Sequence, residues 1–224
     1  MILDLGITDY EESYRVQMDM VARRRLREID DSLILAEHNA VITIGRGGLN
    51  NAEENLLVGE DTLTEYGIKV LSVDRGGDVT LHAPGQLVVY PIIDLKGMRR
   101  DLHLYMRRLE EAIISCLAFF KIKAYRVPEK TGVWVSPSAK IASIGIAATD
   151  WVTYHGLSLN VDPDLTYFSM IRICGFRDVR ATSMREVLRR DVRISDVKAR
   201  MVRELSRVLG IDNISYELLP PLDQ

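Results

Sequence analysis

GVWVSPSAKIASIGIAATDWVTYHGLSLNV, residues 132–161, decides the fold. Three runs rich in β-branched, small and aromatic residues follow one another: Gly132-Val-Trp-Val, Lys140-Ile-Ala-Ser-Ile-Gly-Ile-Ala and Tyr154-His-Gly-Leu-Ser-Leu-Asn-Val. Bounded by Ser-Pro and Thr-Asp breaks, they read as successive strands with tight connections. Working outward, Lys69-Val-Leu-Ser-Val and the run Gln86-Leu-Val-Val-Tyr-Pro-Ile-Ile-Asp are further strands, joined by a loop that begins Arg75-Gly-Gly. Residues 10–28 carry apolar side chains at helical spacing among Arg and Glu, while Ser32-Leu-Ile-Leu-Ala and Ala40-Val-Ile-Thr-Ile-Gly predict a hairpin around Asn39.

Asp101 predicts the N-cap of a helix over 102–120, with Leu104, Leu109, Ile113 and Leu117 near one face. Ser195 predicts the cap of a second, over 196–209, stopped by Gly210. Helices and strands are mixed rather than strictly alternating. The expected class is therefore α/β of the α+β kind, a mixed sheet flanked by helices and not a parallel doubly wound one. No repeat or flexible linker interrupts the chain, and Leu219-Pro-Pro-Leu reads as a frayed end, so residues 1–224 are expected to form a single domain.

Composition narrows the partners. The 224 residues suffice for a sizeable core, and 47% hydrophobic with 27% charged residues is ordinary for a globular protein. A net charge of -3 predicts no general attraction to nucleic acid or to an anionic membrane. The N-terminus, MILDLGITDYEESYRV, lacks a basic flank followed by an apolar segment, and no run approaches the roughly 20 apolar residues of a membrane span. The two cysteines, Cys116 and Cys174, are no disulfide framework, and a reducing cytoplasm is expected.

Chemistry concentrates in a few places. Arg75-Gly-Gly-Asp-Val-Thr-Leu-His sets adjacent glycines, which admit close backbone approach, beside an Arg and a His suited to a polar group. A solvated turn is the competing reading. The loop is neither a P-loop nor a dinucleotide fingerprint, because no Gly-Lys-Ser/Thr follows and no helix opens after it. Lys140, opening an apolar strand, would be fitted by desolvation to move a proton, or would snorkel to water. Cys174-Gly175 offers a thiolate with backbone amides beside it, or a small buried hydrophobe of the kind expected for Cys116. His82, His155 and Cys174 show no metal-ligand spacing, so no metal is expected.

Taken in order, Arg75-Gly-Gly-Asp-Val-Thr-Leu-His-Ala-Pro-Gly-Gln, Gly132-Val-Trp-Val, Lys140-Ile-Ala-Ser-Ile-Gly, Thr153-Tyr-His-Gly-Leu-Ser-Leu-Asn-Val and Cys174-Gly closely resemble the lipoyl(octanoyl) transferase family. The resemblance implies a fold like the catalytic core of biotin and lipoate protein ligases. It implies transfer of an octanoyl group from acyl carrier protein to a lysine of a lipoyl domain, through a thioester on Cys174, as the first step of protein lipoylation in the cytoplasm. Lys140 would assist both half-reactions. Substrate-binding positions would be Arg75, Gly76, Gly77, Asp78, Val79, Thr80, Leu81 and His82, then Ser143, Ile144 and Gly145, then Gly156, Leu157 and Ser158. No cofactor is implied. Acceptors would be the lipoyl domains of 2-oxoacid dehydrogenase complexes and the glycine cleavage H protein, with the chain acting as a monomer. Asp78, Ala83, Ser158 and Ile173 depart from the family's usual Gln, Gly, Ala and Pro. An ATP-dependent lipoate or biotin ligase, or a non-catalytic acyl- or lipoyl-domain-binding protein, is the competing reading.

Overall fold

In the computed structural model, which describes residues 1–173 and 178–211, the chain begins with a strand that sequence patterning missed. The order is β1 (Ile2–Thr8), α1 (Tyr10–Arg25), β2 (Ser32–His38), β3 (Val41–Ile44), α2 (Ala52–Asn55), α3 (Glu60–Glu65), β4 (Lys69–Ser72), β5 (Val79–His82) and β6 (Gln86–Ile92). Then come α4 (Leu102–Phe119), β7 (Tyr125–Val127), β8 (Lys130–Ser136), β9 (Ala139–Thr149), β10 (Val152–Asn160), a 3-10 turn (Leu165–Met170), β11 (Arg180–Ala181), α5 (Met184–Leu188) and α6 (Ile194–Leu209).

These strands build two sheets. The larger has eight strands in the order β1-β2-β6-β10-β9-β8-β7, with β11 beside β9; the smaller is β4-β3-β5. Parallel pairs (β1 with β2, β3 with β4, β11 with β9) accompany antiparallel ones, so both sheets are mixed as expected.

The predicted hairpin around Asn39 does not form. β2 pairs with β1 and β6 in the large sheet, whereas β3 pairs with β4 and β5 in the small one. Both strands are buried on both faces, so alternation could not identify a partner, and the Asn39 turn carries the chain from one sheet to the other. The segment read as one loop between two strands also holds β5, and those flanking strands, β4 and β6, belong to different sheets. Smaller corrections concern helix ends. The first helix stops at Arg25, where Arg27 turns left-handed, and α6 starts at Ile194 with Arg193 at the cap position instead of Ser195.

The helix α4 agrees closely with its signals: the Asp101 carboxylate accepts from the backbone N–H of His103 and Leu104, and Leu109, Ile113 and Leu117 are buried. α4 and α6 lie together over one face of the large sheet, sealing a core that includes Leu87, Val89, Leu157 and Leu159. On the opposite face α1 packs against β6 and β10. Its buried side includes Ser13 and Gln17 as well as Met20 and Val21. That polar burial marks the edge of the site.

Candidate active site

At the start of α1, the part of this face that the helix leaves uncovered and the small sheet enclose a cavity of about 240 Å³. Register explains its floor. Ser143 of β9 stands opposite Ser158 of β10, which stands opposite Val88 of β6; two residues along, Gly145 faces Gly156. A Cβ at Gly145 would lie 2.8 Å from the Gly76 carbonyl oxygen and 2.9 Å from Arg75 Cδ, and one at Gly156 would strike the Val89 carbonyl. Gly145 thus lets the Arg75 loop close down over the sheet, while Gly156 lets β10 lie close against β6.

Lys140 reaches the cavity through an irregularity. Val133 pairs with Ala142 but Trp134 with Lys140, so one extra residue is accommodated in β9. Ile141 and Ala142 consequently both enter the core under α4, while Lys140 and Ser143 both line the cavity. Without this bulge, strict alternation would place Lys140 on the same face as Ala142.

The Lys140 side chain is 4% exposed, with its Nζ 5.5 Å from the centre of the Trp134 ring. It crosses Gly132, whose φ is +112° and where an added Cβ would sit 2.6 Å from Lys140 Cε. Gly132 N–H in turn donates to Glu110 Oε1 at 3.2 Å. The buried Glu110 carboxylate is held by Arg107 at 2.7 Å and Arg126 at 2.9 Å.

Arg75 is spent largely on the protein itself. Its Nη2 donates to the Thr43 carbonyl at 2.8 Å and its Nε to Thr43 Oγ1 at 3.2 Å, binding the loop to β3. Gly76 N–H donates to the Ile146 carbonyl at 2.9 Å, binding the same loop to β9. Asp78 accepts from Asn55 Nδ2 at 2.9 Å and from Val79 N–H at 2.6 Å. A second glycine loop runs alongside, with Gly45, Arg46 and Gly47 N–H donating to the Asp78, Arg75 and Gly77 carbonyls. Arg46-Gly-Gly repeats the tripeptide Arg75-Gly-Gly, a signal in the sequence that marks this partner loop.

At the far end stand histidines and tyrosines held neutral. His155, in left-handed conformation at φ +53°, bonds Asp74 Oδ1 through Nε2 at 2.7 Å, so its Nδ1 accepts from the Tyr10 hydroxyl at 3.2 Å. His38 is set between the Thr8 carbonyl and the Tyr90 hydroxyl. His82 Nδ1 donates to Gln86 Oε1 at 2.6 Å. Burial lowers all three imidazoles, His82 down to about 3. Asp74 is raised by burial, but donation from Tyr154 and His155 more than offsets this and leaves it below the usual carboxylate range.

Of the substrate-binding positions named from sequence, Arg75, Gly77, Asp78, Val79, Thr80, His82, Ser143, Ile144, Gly145, Gly156, Leu157 and Ser158 line the cavity with Lys140. Gly76 packs against Gly145 from above, and Leu81 is buried in the core of the small sheet instead. Cys174 lies outside the described residues; the strand after it, β11, pairs Ala181 with Lys140. Cys116 is a buried thiol on α4, pushed up by burial. Sequence reading missed Tyr10, Val88 and Tyr90 as wall residues because each looks like an ordinary helix or strand position.

The family model for the lipoyl protein ligase A/B catalytic domain matches residues 9–206. An octanoyltransferase of Solibacter usitatus is 44% identical over 96% of this chain and 93% of its own length. The chain belongs to the octanoyltransferase family. It is accordingly an acyltransferase. In structure it is similar to a putative lipoate protein ligase from T. acidophilum, with a TM-score of 0.69 at 20% identity over 94% of this chain and 85% of that one. It is also similar to the biotin protein ligase of Aquifex aeolicus, with a TM-score of 0.51 at 14% identity over 93% of this chain and 68% of that one. These two likenesses show the fold, a mixed α/β core common to lipoate and biotin ligases. Among the described residues no helix is long and apolar enough to cross a membrane.

Proposed function

We propose that this octanoyltransferase family member takes an octanoyl group from octanoyl-acyl carrier protein and passes it to a lysine of a lipoyl domain, with Cys174 as the covalent carrier and Lys140 as its acid–base partner. The observation that carries the reading is Lys140, turned by the β9 bulge out of the core and into a cavity that Tyr10, Val79 and Val88 help to line. Residues 1–224 act as one catalytic unit, in the cytoplasm, supplying octanoyl groups to 2-oxoacid dehydrogenase lipoyl domains and the glycine cleavage H protein.

The chemistry balances without ATP. The Cys174 thiolate attacks the donor carbonyl, a new thioester forms as the carrier's C–S bond breaks, and the carrier's thiol leaves with a proton from the Lys140 ammonium. The acceptor amine then attacks that thioester, an amide forms, and Cys174 is released as thiolate while the amine's proton passes to Lys140. The first exchange replaces one thioester by another, and the second is downhill to an amide. An ammonium at Lys140 favours the thiolate during the first half-reaction, and the neutral amine it becomes is the base for the second. Burial of eight carbons, at about 0.8 kcal/mol per methylene, supplies most of the binding.

The test is intact mass after incubation with octanoyl-acyl carrier protein. The wild-type chain gains one octanoyl group that is lost on adding an acceptor domain, and Cys174→Ser gains none. An unmodified wild-type mass would overturn the covalent route; pyrophosphate release with ATP and free octanoate would place the chain among ligases instead.

A further inference from the structure

Tyr10 divides two hollows. Besides the cavity that holds Lys140, a second hollow of about 710 Å³ opens on the other side of α1's first turn, lined by Tyr14, Arg46, Leu49, Leu71, Val73 and Asp74 among others. Tyr10 lines both, and behind it His155 faces the first hollow while its bonded partner Asp74 faces the second.

Register gives the first hollow a direction. Lys140 stands at the start of β9, and His155 pairs with Ile146 six positions further along the same strand. An acyl thioester whose carbonyl lies beside Lys140 therefore runs over the Gly145–Gly156 pair and ends against Tyr10. Tyr10 is 5% exposed, its ring stacks near-parallel on His82 at 5.8 Å, and its hydroxyl is spent on His155. What it offers a ligand is ring carbon.

Resting on the octanoyl-transfer reading above, we infer that Tyr10 is the end wall that sets acyl-chain length, and that removing its ring joins the slot to the second hollow. The apolar side chains there, Leu49, Leu71 and Val73, would receive the extra methylenes.

The experiment compares acylation rates with octanoyl-, decanoyl- and dodecanoyl-acyl carrier protein by intact mass, for the wild-type chain, Tyr10→Ala, Tyr10→Leu and Tyr10→Phe. Tyr10→Ala and Tyr10→Leu shift the decanoyl-to-octanoyl ratio upward by about 15-fold, the value of two buried methylenes. Tyr10→Phe keeps the ring and keeps the wild-type ratio. Tyr10→Leu preserves an apolar side chain at the start of α1 and gives a folded enlarging variant should Tyr10→Ala not fold. A wild-type ratio retained in every folded enlarging variant, while the wild-type chain accepts octanoyl, overturns the inference alone. No adduct on the wild-type chain with any donor removes the functional reading and the inference with it.

Discussion

The two ends of the cavity are built on different principles. At one end a buried cation, Lys140, is aimed by backbone irregularity: a bulge in β9 turns it, and Gly132 leaves room for it beside the Trp134 ring. At the other end no backbone bulge places charge. His38, His82 and His155 are each neutralised by burial and locked into one tautomer by a partner, namely Thr8 with Tyr90, Gln86, and Asp74 with Tyr10. The first arrangement spends packing on one reactive group. The second pairs most of its polar atoms with one another, the condition under which a buried network is tolerated. Substitutions at the first end should therefore show in rates, and at the second in stability and its pH dependence.

The largest expected effect breaks the comparison at its reactive end. Lys140→Ala is expected to slow octanoyl transfer by about 10³-fold, within the range of a lost acid–base group, while thermal unfolding moves little. Time-resolved intact mass beside calorimetry checks both; a variant at wild-type rate would remove Lys140 from the mechanism. Gly132→Ala tests whether aim matters as well as charge. Its Cβ would meet the Lys140 side chain at a φ of +112°, so transfer is expected to fall about 10²-fold with Lys140 intact. Gly59→Ala, where a Cβ meets nothing within 4 Å, is the control and should leave the rate unchanged.

Acid stability sharpens the other end. His82 in the folded chain sits at about 3, below its unfolded value of about 6.5, so the unfolded state binds the proton first. Stability from this group is complete above pH 6.5 and is lost as pH falls toward 3, at about 1.4 kcal/mol per pH unit. Denaturant titrations from pH 7 to 4 should show that slope, and His82→Gln should reduce it. An identical slope in the variant would assign the acid sensitivity elsewhere. The smallest effect lies outside both ends. Arg99 and Arg100 are exposed ahead of α4, and reversing their charge is expected to raise the apparent KM for the acidic carrier a few-fold, without altering kcat. An unchanged KM removes that surface from docking.

How much of this was legible beforehand varies by element. Asp101 and Gly210 mark helix ends because capping is local: a carboxylate satisfies orphan N–H groups, and glycine takes the left-handed turn. The strands β8, β9 and β10 were legible because their runs are β-rich and their connections short. The strand β1 was not. Its alternation is interrupted at Asp4 and Gly6, where Gly6 turns left-handed and the pairing with β2 shifts register. The pairing of β2 was misread for a related reason, since a strand buried on both faces carries no mark of its partner. In the site, the glycine loop and Lys140 stand out by residue type, whereas residue type left Arg75 open between a ligand-holding group and a solvated turn, and its guanidinium bonds Thr43 while lining the cavity.

From sequence alone came the motif order, the helix caps, the mixed α/β class and Lys140 as the lysine to watch, because each rests on residue type within a short window. Only the tertiary structure decided which sheet β3 joins, that the β9 bulge turns Lys140 toward the cavity, and that Tyr10 separates two hollows. Those depend on register between segments distant in the chain, where a shift of one residue exchanges core for site.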